Sequence, residues 1–244
     1  MSNSKFELLT DQYIEVCGRK LFRIRALVSF GIVSKGDVGG YVENESNLEV
    51  YGDAWVYDDV RVYGNARVYG DAQVYGDAWV SGDARVYGDA RVHGNAQVYG
   101  NARVYGDAQV YGNAQVSGDA RVYGDAQVYG NAQVYGNARV YGDAQVHGNA
   151  RVHGDAQVHG DAWVHGDAHW LLIGPIGSRM SMMTVTADAR IGLRVTTGCF
   201  SGSLAEFEAA IAATHGDNEH AIHYRAAIAL IRARFPEQAK AVAA

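Results

Sequence analysis

From Val50 to His169 the chain repeats one six-residue unit: Val, then Tyr or His, Gly, Asp or Asn, Ala, and finally Gln, Arg or Trp. Val68-Tyr69-Gly70-Asp71-Ala72-Gln73 is a clean copy, and twenty hexads fit between those limits without insertion or deletion. A short fixed period dictates architecture before any single residue does. Strand side chains alternate, so Val and the Ala two residues before it point to the same side. Val is β-branched and fills a core, whereas Ala suits a tight corner. Gly followed by Asp or Asn tolerates the backbone angles of a bend. Each hexad therefore reads as a short strand plus a corner, and the succession of hexads reads as a solenoid.

The outward positions give the number of hexads per coil. With an 18-residue coil, the residues before the Val of every third hexad form one column: Arg67, Arg85, Arg103, Arg121, Arg139, then Gln157. A second column holds Trp55, Gln73, Arg91, Gln109, Gln127, Gln145 and Trp163, and a third holds Arg61, Trp79, Gln97, Gln115, Gln133 and Arg151. Corners sort the same way. One is all acidic (Asp53, Asp71, Asp89, Asp107, Asp125, Asp143, Asp161), and another carries Asn95, Asn113, Asn131 and Asn149 at its centre. A 12- or 24-residue coil scrambles these columns, although recent duplication of an 18-residue gene unit would leave the same trace. Nearly seven coils, stacked ~4.8 Å apart, predict a rod of roughly 32 Å. Stability of such a rod is a sum of nearest-neighbour terms.

The flanks read differently. Residues 1–37 are predicted as a β entry segment: Tyr13–Val16 and Leu21–Val28 alternate around a turn at Gly18, a hairpin pattern that would cover the open solenoid end. Val38, Val42 and Leu48 fall at inward-type positions, so the solenoid is placed at 38–169, its first irregular coil starting near Val38. Residues 170–244 form a small α+β domain. Trp170-Leu171-Leu172-Ile173 would close the prism and Gly174-Pro175 would break the run. Met182–Ala187 and Ile191–Thr197 read as two strands. Ser203-Leu204-Ala205-Glu206 is a capping-box start, with Leu204, Phe207 and Ile211 as its apolar positions. A second helix starts near Asp217 or Asn218, shows Ile222, Ala226, Ala229 and Leu230, and stops before Pro236.

Composition narrows the function classes. The 244 residues carry a net charge of −6, and the hexads alone, with fourteen Asp and eight Arg, account for it. That balance argues against general attraction to nucleic acid or anionic membranes. Two distant cysteines, Cys17 and Cys199, make no disulfide framework. No signal-peptide core and no apolar run of membrane-spanning length is present. A soluble protein of a reducing cytoplasm is expected.

Six-residue sides with Val inside closely resemble the hexapeptide left-handed β-helix, a triangular prism of three hexads per coil, and the left hand comes from that resemblance. The best-known members of that group are trimeric acyltransferases. The entry Lys35-Gly36-Asp37-Val38-Gly39-Gly40-Tyr41-Val42-Glu43 with Asn47-Leu48, and the Tyr-Gly-Asp/Asn-Ala hexads, are similar to hexapeptide-repeat proteins of bacteria and their prophages. The tail, with Gly174–Arg179, Gly198-Cys199-Phe200, Glu206-Phe207 and Thr214–Asn218, resembles a terminal domain of phage and prophage proteins of unknown role. The resemblance implies a mainly β, left-handed parallel β-helix with an N-terminal hairpin cap and a C-terminal α+β domain, of phage or prophage origin, in a bacterial cytoplasm. It also implies a homotrimer. The acyltransferases carry a catalytic His at a loop that interrupts the coils. No loop interrupts these hexads, so no catalytic residue carries over, and no cofactor or metal is expected.

The candidate site is a strip in which the Arg column runs beside a Tyr column two residues away: Arg67 and Tyr69, Arg85 and Tyr87, Arg103 and Tyr105, Arg121 and Tyr123, Arg139 and Tyr141. Arg and Tyr together suit protein or self-association surfaces, and the same strip would take phosphates and stack rings or sugars. The plain structural alternative has Arg stems covering Tyr rings, with Asp corners balancing charge. The acidic corner is read as solubilising, with cation binding or DNA mimicry as its functional alternatives. His147, His153, His159, His165 and His169 crowd the last coils. His147 and His165 are expected to stack, and their protonation to loosen that end. In the tail, Cys199, His215 and Asp217 have the composition of a nucleophile set. A buried Cys after a strand and a helix-capping Asp explain them equally, and Arg179 would hold an anion. The reading is a non-enzymatic scaffold presenting its Arg–Tyr face to a host or phage protein or to further copies of itself. The alternatives are an acyltransferase-like enzyme, or a polyanion-binding or DNA-mimic module.

Overall fold

The computed structural model describes residues 4–236. An N-terminal hairpin, β1 (Phe6–Val16) and β2 (Arg19–Ala26), turns at Cys17-Gly18 and pairs antiparallel. A third strand, β3 (Val38–Val42), pairs antiparallel with β2 and parallel with the first coil, Tyr41 opposite Arg61 and Val42 opposite Val62. The solenoid follows as nineteen strands of two or three residues, β4 to β22, from Trp55–Val56 to Trp163–Val164. They sort into three parallel sheets, one per face, and the hairpin extends one of them.

Register confirms the three-hexad coil directly. Arg67, Arg85, Arg103, Arg121, Arg139 and Gln157 are successive partners on one face. The Trp55-to-Trp163 and Arg61-to-Trp79-to-Arg151 columns pair likewise. Duplication alone would not impose this pairing, so the columns are structural. Every hexad Ala and Val from Ala54 to Val164 is at most 1% exposed. The corner Gly holds a left-handed backbone, with φ near +70° from Gly64 to Gly142, and successive corner glycines stack on one another. A Cβ at Gly106, for example, would lie 3.1 Å from the Gly124 amide nitrogen.

The N-terminal end departs from the simple phase. Val38 is half exposed, because it lies on the antiparallel part of β3 opposite Arg25, not inside a coil. Val42 and Leu48 do point inward, while Val50 is only partly buried. Trp55, in an outward slot, is 1% exposed because Phe6 and Phe30 lie edge-on to it. Polar side chains take up groups that have no preceding coil. Lys5 Nζ donates to the carbonyls of Glu49, Gly52 and Ala54 at 3.3, 2.9 and 2.9 Å. Glu43, Glu49 and Asp58 accept from the corner amides of Gly64, Gly70 and Gly76. Buried Asn47 donates to the Gly64 and Ala66 carbonyls.

The other end is closed by a four-stranded antiparallel sheet: β23 (Trp170–Ile176), β24 (Ser181–Asp188), β25 (Gly192–Thr197) and β26 (Phe200–Ser203). Gly174-Pro175 does not break β23; it shifts the register between Ile173 and Ile176. The last strand, β26, has no apolar alternation and is not legible beforehand. The sheet is two-sided. Trp170 and Leu172 join the solenoid core, and Thr184 Oγ1 accepts from the Gln157 amide at 2.9 Å. Met183, Val185, Leu193 and Val195 face two helices, α1 (Leu204–His215) and α2 (Glu219–Arg234). The Ser203–Glu206 capping box is formed as expected. The second helix is rotated from the expected face. Its buried residues are Ala221, Tyr224, Ala227, Ile228 and Ile231, while Ile222 and Leu230 are exposed. A stripe of small apolar residues does not fix which side of a helix packs when Tyr224 supplies the larger apolar surface. Among the described residues no helix is long and apolar enough to cross a membrane.

Candidate functional site

The Arg and Tyr columns stand on one flat face because strands of Arg-Val-Tyr turn Val inward and leave its neighbours outside. Its three-residue strands are Arg85–Tyr87, Arg103–Tyr105 and Arg121–Tyr123. Tyr69, Tyr87, Tyr105, Tyr123 and Tyr141 form a continuous stack, with centroids 4.7 to 4.9 Å apart and planes within 4°. His159 continues the stack at 4.8 Å. Its Nε2 meets Thr196 Oγ1 at 2.8 Å, so the ladder ends against the C-terminal sheet.

Four of the five Tyr hydroxyls in the column are shifted toward their neutral form. Partial burial pushes Tyr69, Tyr87, Tyr123 and Tyr141 upward, and at Tyr87 and Tyr123 the stacked neighbours add to it. Arg85 and Arg103 oppose the shift at Tyr69 without reversing it. These four hydroxyls therefore do not offset the arginine charge.

That charge is unbalanced within the face. Among the described residues, no carboxylate makes a salt bridge to Arg67, Arg85, Arg103, Arg121 or Arg139. Nor does any of these guanidinium groups lie over a Tyr ring; the described cation–π contacts nearby are Arg61 with Trp79 in the solenoid and Arg23 of β2 with Tyr41 of β3. Asp corners pairing these charges are thus not what the face contains. Like charges ~5 Å apart repel by about 1 kcal/mol per neighbour even in water. Five arginines therefore stand one above another on this face with no salt bridge to any of them among the described residues.

The two flanking corners differ. After the Tyr column runs the exposed acidic ladder of Asp71, Asp89, Asp107, Asp125 and Asp143. Before the Arg column, Asn and Asp alternate as donor and acceptor: Asn65 to Asp83, Asn101 to Asp119 and Asn137 to Asp155, at 2.9 to 3.0 Å. A shallow groove of about 290 Å³ lies along that corner beside Arg85, Arg103 and Arg121. A larger one of about 640 Å³ opens at the N-terminal end of the face, between Tyr51, Leu48, Glu49, Arg67 and Tyr69.

Seven windows of the chain match the family model described as the YdcK beta solenoid repeat: residues 60–76, 78–94, 96–112, 108–124, 114–130, 132–148 and 144–160. Five of them, starting at 60, 78, 96, 114 and 132, follow one another at the period of the coil, one coil per copy. The chain is a β-solenoid repeat protein. Comparison with curated proteins gives no match. The Arg–Tyr face lies almost wholly inside the matched coils of the solenoid.

A second aromatic ladder lies outside the site that the sequence predicts. Tyr75, His93, Tyr111, Tyr129 and His147 stack at 4.8 Å on the Gln-rich face. The return of Tyr or His at every third hexad was its available signal. Burial, then Arg91, pulls His93 down, which favours its neutral ring. On the remaining face Ser81 and Ser117 interrupt the rings.

The histidine cluster is close but not stacked as expected. His147 and His165 are tilted by 52°, with their Nδ1 atoms 2.9 Å apart. Burial first, then His165 and His169, pulls His147 down. No group of three or more His, Cys, Asp or Glu suited to a metal ion occurs among the described residues.

The tail candidates divide. Arg179, Cys199 and His215 line one cavity of about 340 Å³, and Arg179 Nη1 reaches Cys199 Sγ at 3.4 Å. Cys199 is exposed in the turn between β25 and β26, not buried. Asp217 pairs instead with Arg225 at 2.8 Å and is not the helix cap, a role that Asn218 takes. The structure does not assemble a Cys-His-Asp set.

Proposed function

We propose that the chain is a non-enzymatic binding scaffold of phage or prophage origin, acting in the cytoplasm of a bacterial host cell. The Arg–Tyr face between Arg67 and Tyr141 is the surface it presents to a protein partner. The observation that carries this reading is the five-rung arginine ladder, without one salt bridge among the described residues, beside a rigid stack of Tyr rings. Arg and Tyr are the residue types that dominate protein hot spots. Pre-stacked rings lose little freedom on binding. The resemblance to prophage proteins favours a host protein as the partner, which would make interference with host defence the biological role.

A pull-down from host lysate, comparing wild type with R85E/R103E/R121E, tests the reading. Loss of captured partners in the variant is expected, and an unchanged set rejects the face as the binding surface. The acyltransferase alternative has against it coils that run from Trp55 to Val164 without an interrupting loop. Calorimetry with acetyl-coenzyme A is expected to show no binding; micromolar binding would overturn the non-enzymatic reading. Self-association through the same face is a second reading, favoured by the acidic ladder that runs beside it. The acyltransferase analogy would make the assembly a homotrimer.

A further inference from the structure

Three columns run side by side along the rod at two-residue intervals: Arg85, Tyr87 and Asp89 in one coil, Arg103, Tyr105 and Asp107 in the next, and Arg121, Tyr123 and Asp125 after that. Across the face the order is positive, aromatic, negative, with the corner of Asp83, Asn101 and Asp119 beyond the Arg column. Along the rod all three share the spacing of the stacked rings, 4.7 to 4.9 Å. The Arg rungs have no carboxylate partner among the described residues. The Asp71-to-Asp143 rungs are exposed, and none of them makes a salt bridge among the described residues.

We propose that two copies of this solenoid pair side by side, parallel and in register, about a twofold axis that runs along the tyrosine ladder. The inference rests on the reading of this face as a protein-binding surface and names its occupant, a second copy of the chain. Symmetry makes the choice. A twofold axis parallel to the rod exchanges left and right, so the Arg ladder of each copy meets the Asp ladder of the other, with Tyr against Tyr between them. A twofold axis across the rod leaves left and right unchanged and sets Arg on Arg and Asp on Asp. Only the parallel pair is complementary, and it is self-complementary as a closed dimer requires. Both ladders inherit their period from the same sheet, so a match at one rung is a match at all five. A ladder of another origin has no reason to share that period.

The paired strip is about 24 Å long and under ~20 Å wide, which buries roughly 800 Å² over both copies, below the standard size of stable interfaces and in the range of weak, transient ones. The pair is therefore weak and depends on its charges, and salt screens it.

Sedimentation velocity on the full chain decides the matter. At about 20 mM salt the wild type is expected at twice the monomer mass, and at about 500 mM as a monomer. R85E/R103E/R121E alone and D89K/D107K/D125K alone should both stay monomeric, with circular dichroism unchanged. Mixed one to one they should pair again, because one seam is then Glu against Lys and the other Asp against Arg. R85Q/R103Q/R121Q, which introduces no new charge, should weaken pairing at least tenfold. A wild-type monomer at low salt, a trimer, or failure of the mixture to pair overturns the proposal. A monomeric wild type whose capture of host partners is still lost in the Arg-to-Glu variant would overturn the pairing alone. Pairing that survives in the Arg-to-Glu variant would place the dimer interface elsewhere and overturn the proposal, and only unchanged capture of host partners by that variant would also reject the face as a binding surface.

Discussion

His147 and His165 face each other through their Nδ1 atoms at 2.9 Å, one coil apart, where the solenoid meets its C-terminal end. One nitrogen must donate and the other accept, so the contact holds a single proton between two rings. His147 is buried, and its Nε2 has no hydrogen-bond partner among the described residues. Its affinity for a second proton is lowered by burial and then by His165 and His169.

Acid works against this end of the rod. A histidine whose pKa is lower folded than unfolded contributes stability above its unfolded value, near 6.5, and loses it as pH falls. His159, also in these last coils, is lowered too, first by burial. The last coils should therefore loosen first on acidification. Hydrogen exchange, corrected for intrinsic rate, should be faster at the His147 amide, which donates to Val164, at pH 5.5 than at pH 7.5. H165N should flatten that difference, and an unchanged rate in wild type would contradict it.

Lys5 closes the opposite end. Burial lowers its amine to about 8, while three backbone carbonyls accept from it. Lys5→Met keeps the stem and removes the donors, leaving those carbonyls short of partners. A loss of about 2–4 kcal/mol is expected in urea unfolding. A loss under about 0.5 kcal/mol would show that the cap is replaceable.

Gly106 and Gly18 share a left-handed φ, +69° and +74°, but differ in surroundings. An added Cβ at Gly18 meets nothing within 4 Å, whereas at Gly106 it presses on the Gly124 backbone. Gly18→Ala should cost only the backbone term, about 1 kcal/mol, and Gly106→Ala clearly more, about 2–3 kcal/mol. Equal melting shifts would mean that corner stacking does not constrain the coil.

Much of this was legible because solenoid geometry is arithmetic. Once three hexads make a coil, Arg67 must stand over Arg85 and Tyr69 over Tyr87, and the structure pairs them so. The capping box at Ser203 was equally local and equally readable. What was not legible depended on contacts from outside the repeat. Trp55 occupies an outward slot and is buried by Phe6 and Phe30, which no period announces. Val38 matches the inward phase and yet pairs with the hairpin. In α2, where Ile222 and Tyr224 compete to define the packed face, the sheet beneath chose Tyr224. The unpaired state of the Arg ladder also needed coordinates, since Asp lies near every rung in sequence.

The stack of Tyr rings should leave a spectroscopic trace. Tyr105 sits between Tyr87 and Tyr123 at 4.8 and 4.9 Å. Tyr105→Ser should cut the ladder in two while the fold persists, as natural Ser81 and Ser117 are tolerated on another face. A reduced near-ultraviolet dichroism and a loss of about 1 kcal/mol are expected. An unchanged spectrum would place the rings out of contact.

Three hexads to the coil is the relationship that makes a ladder of Arg67 to Arg139. Spin labels at Arg67→Cys and Arg139→Cys, with Cys17 and Cys199 replaced by Ser, measure it by electron–electron double resonance. Four coils at ~4.8 Å put the two backbone sites about 19 Å apart. A separation of about 29 Å would mean two hexads per coil, one of about 14 Å would mean four, and either result would dismantle the arginine ladder and everything built on it.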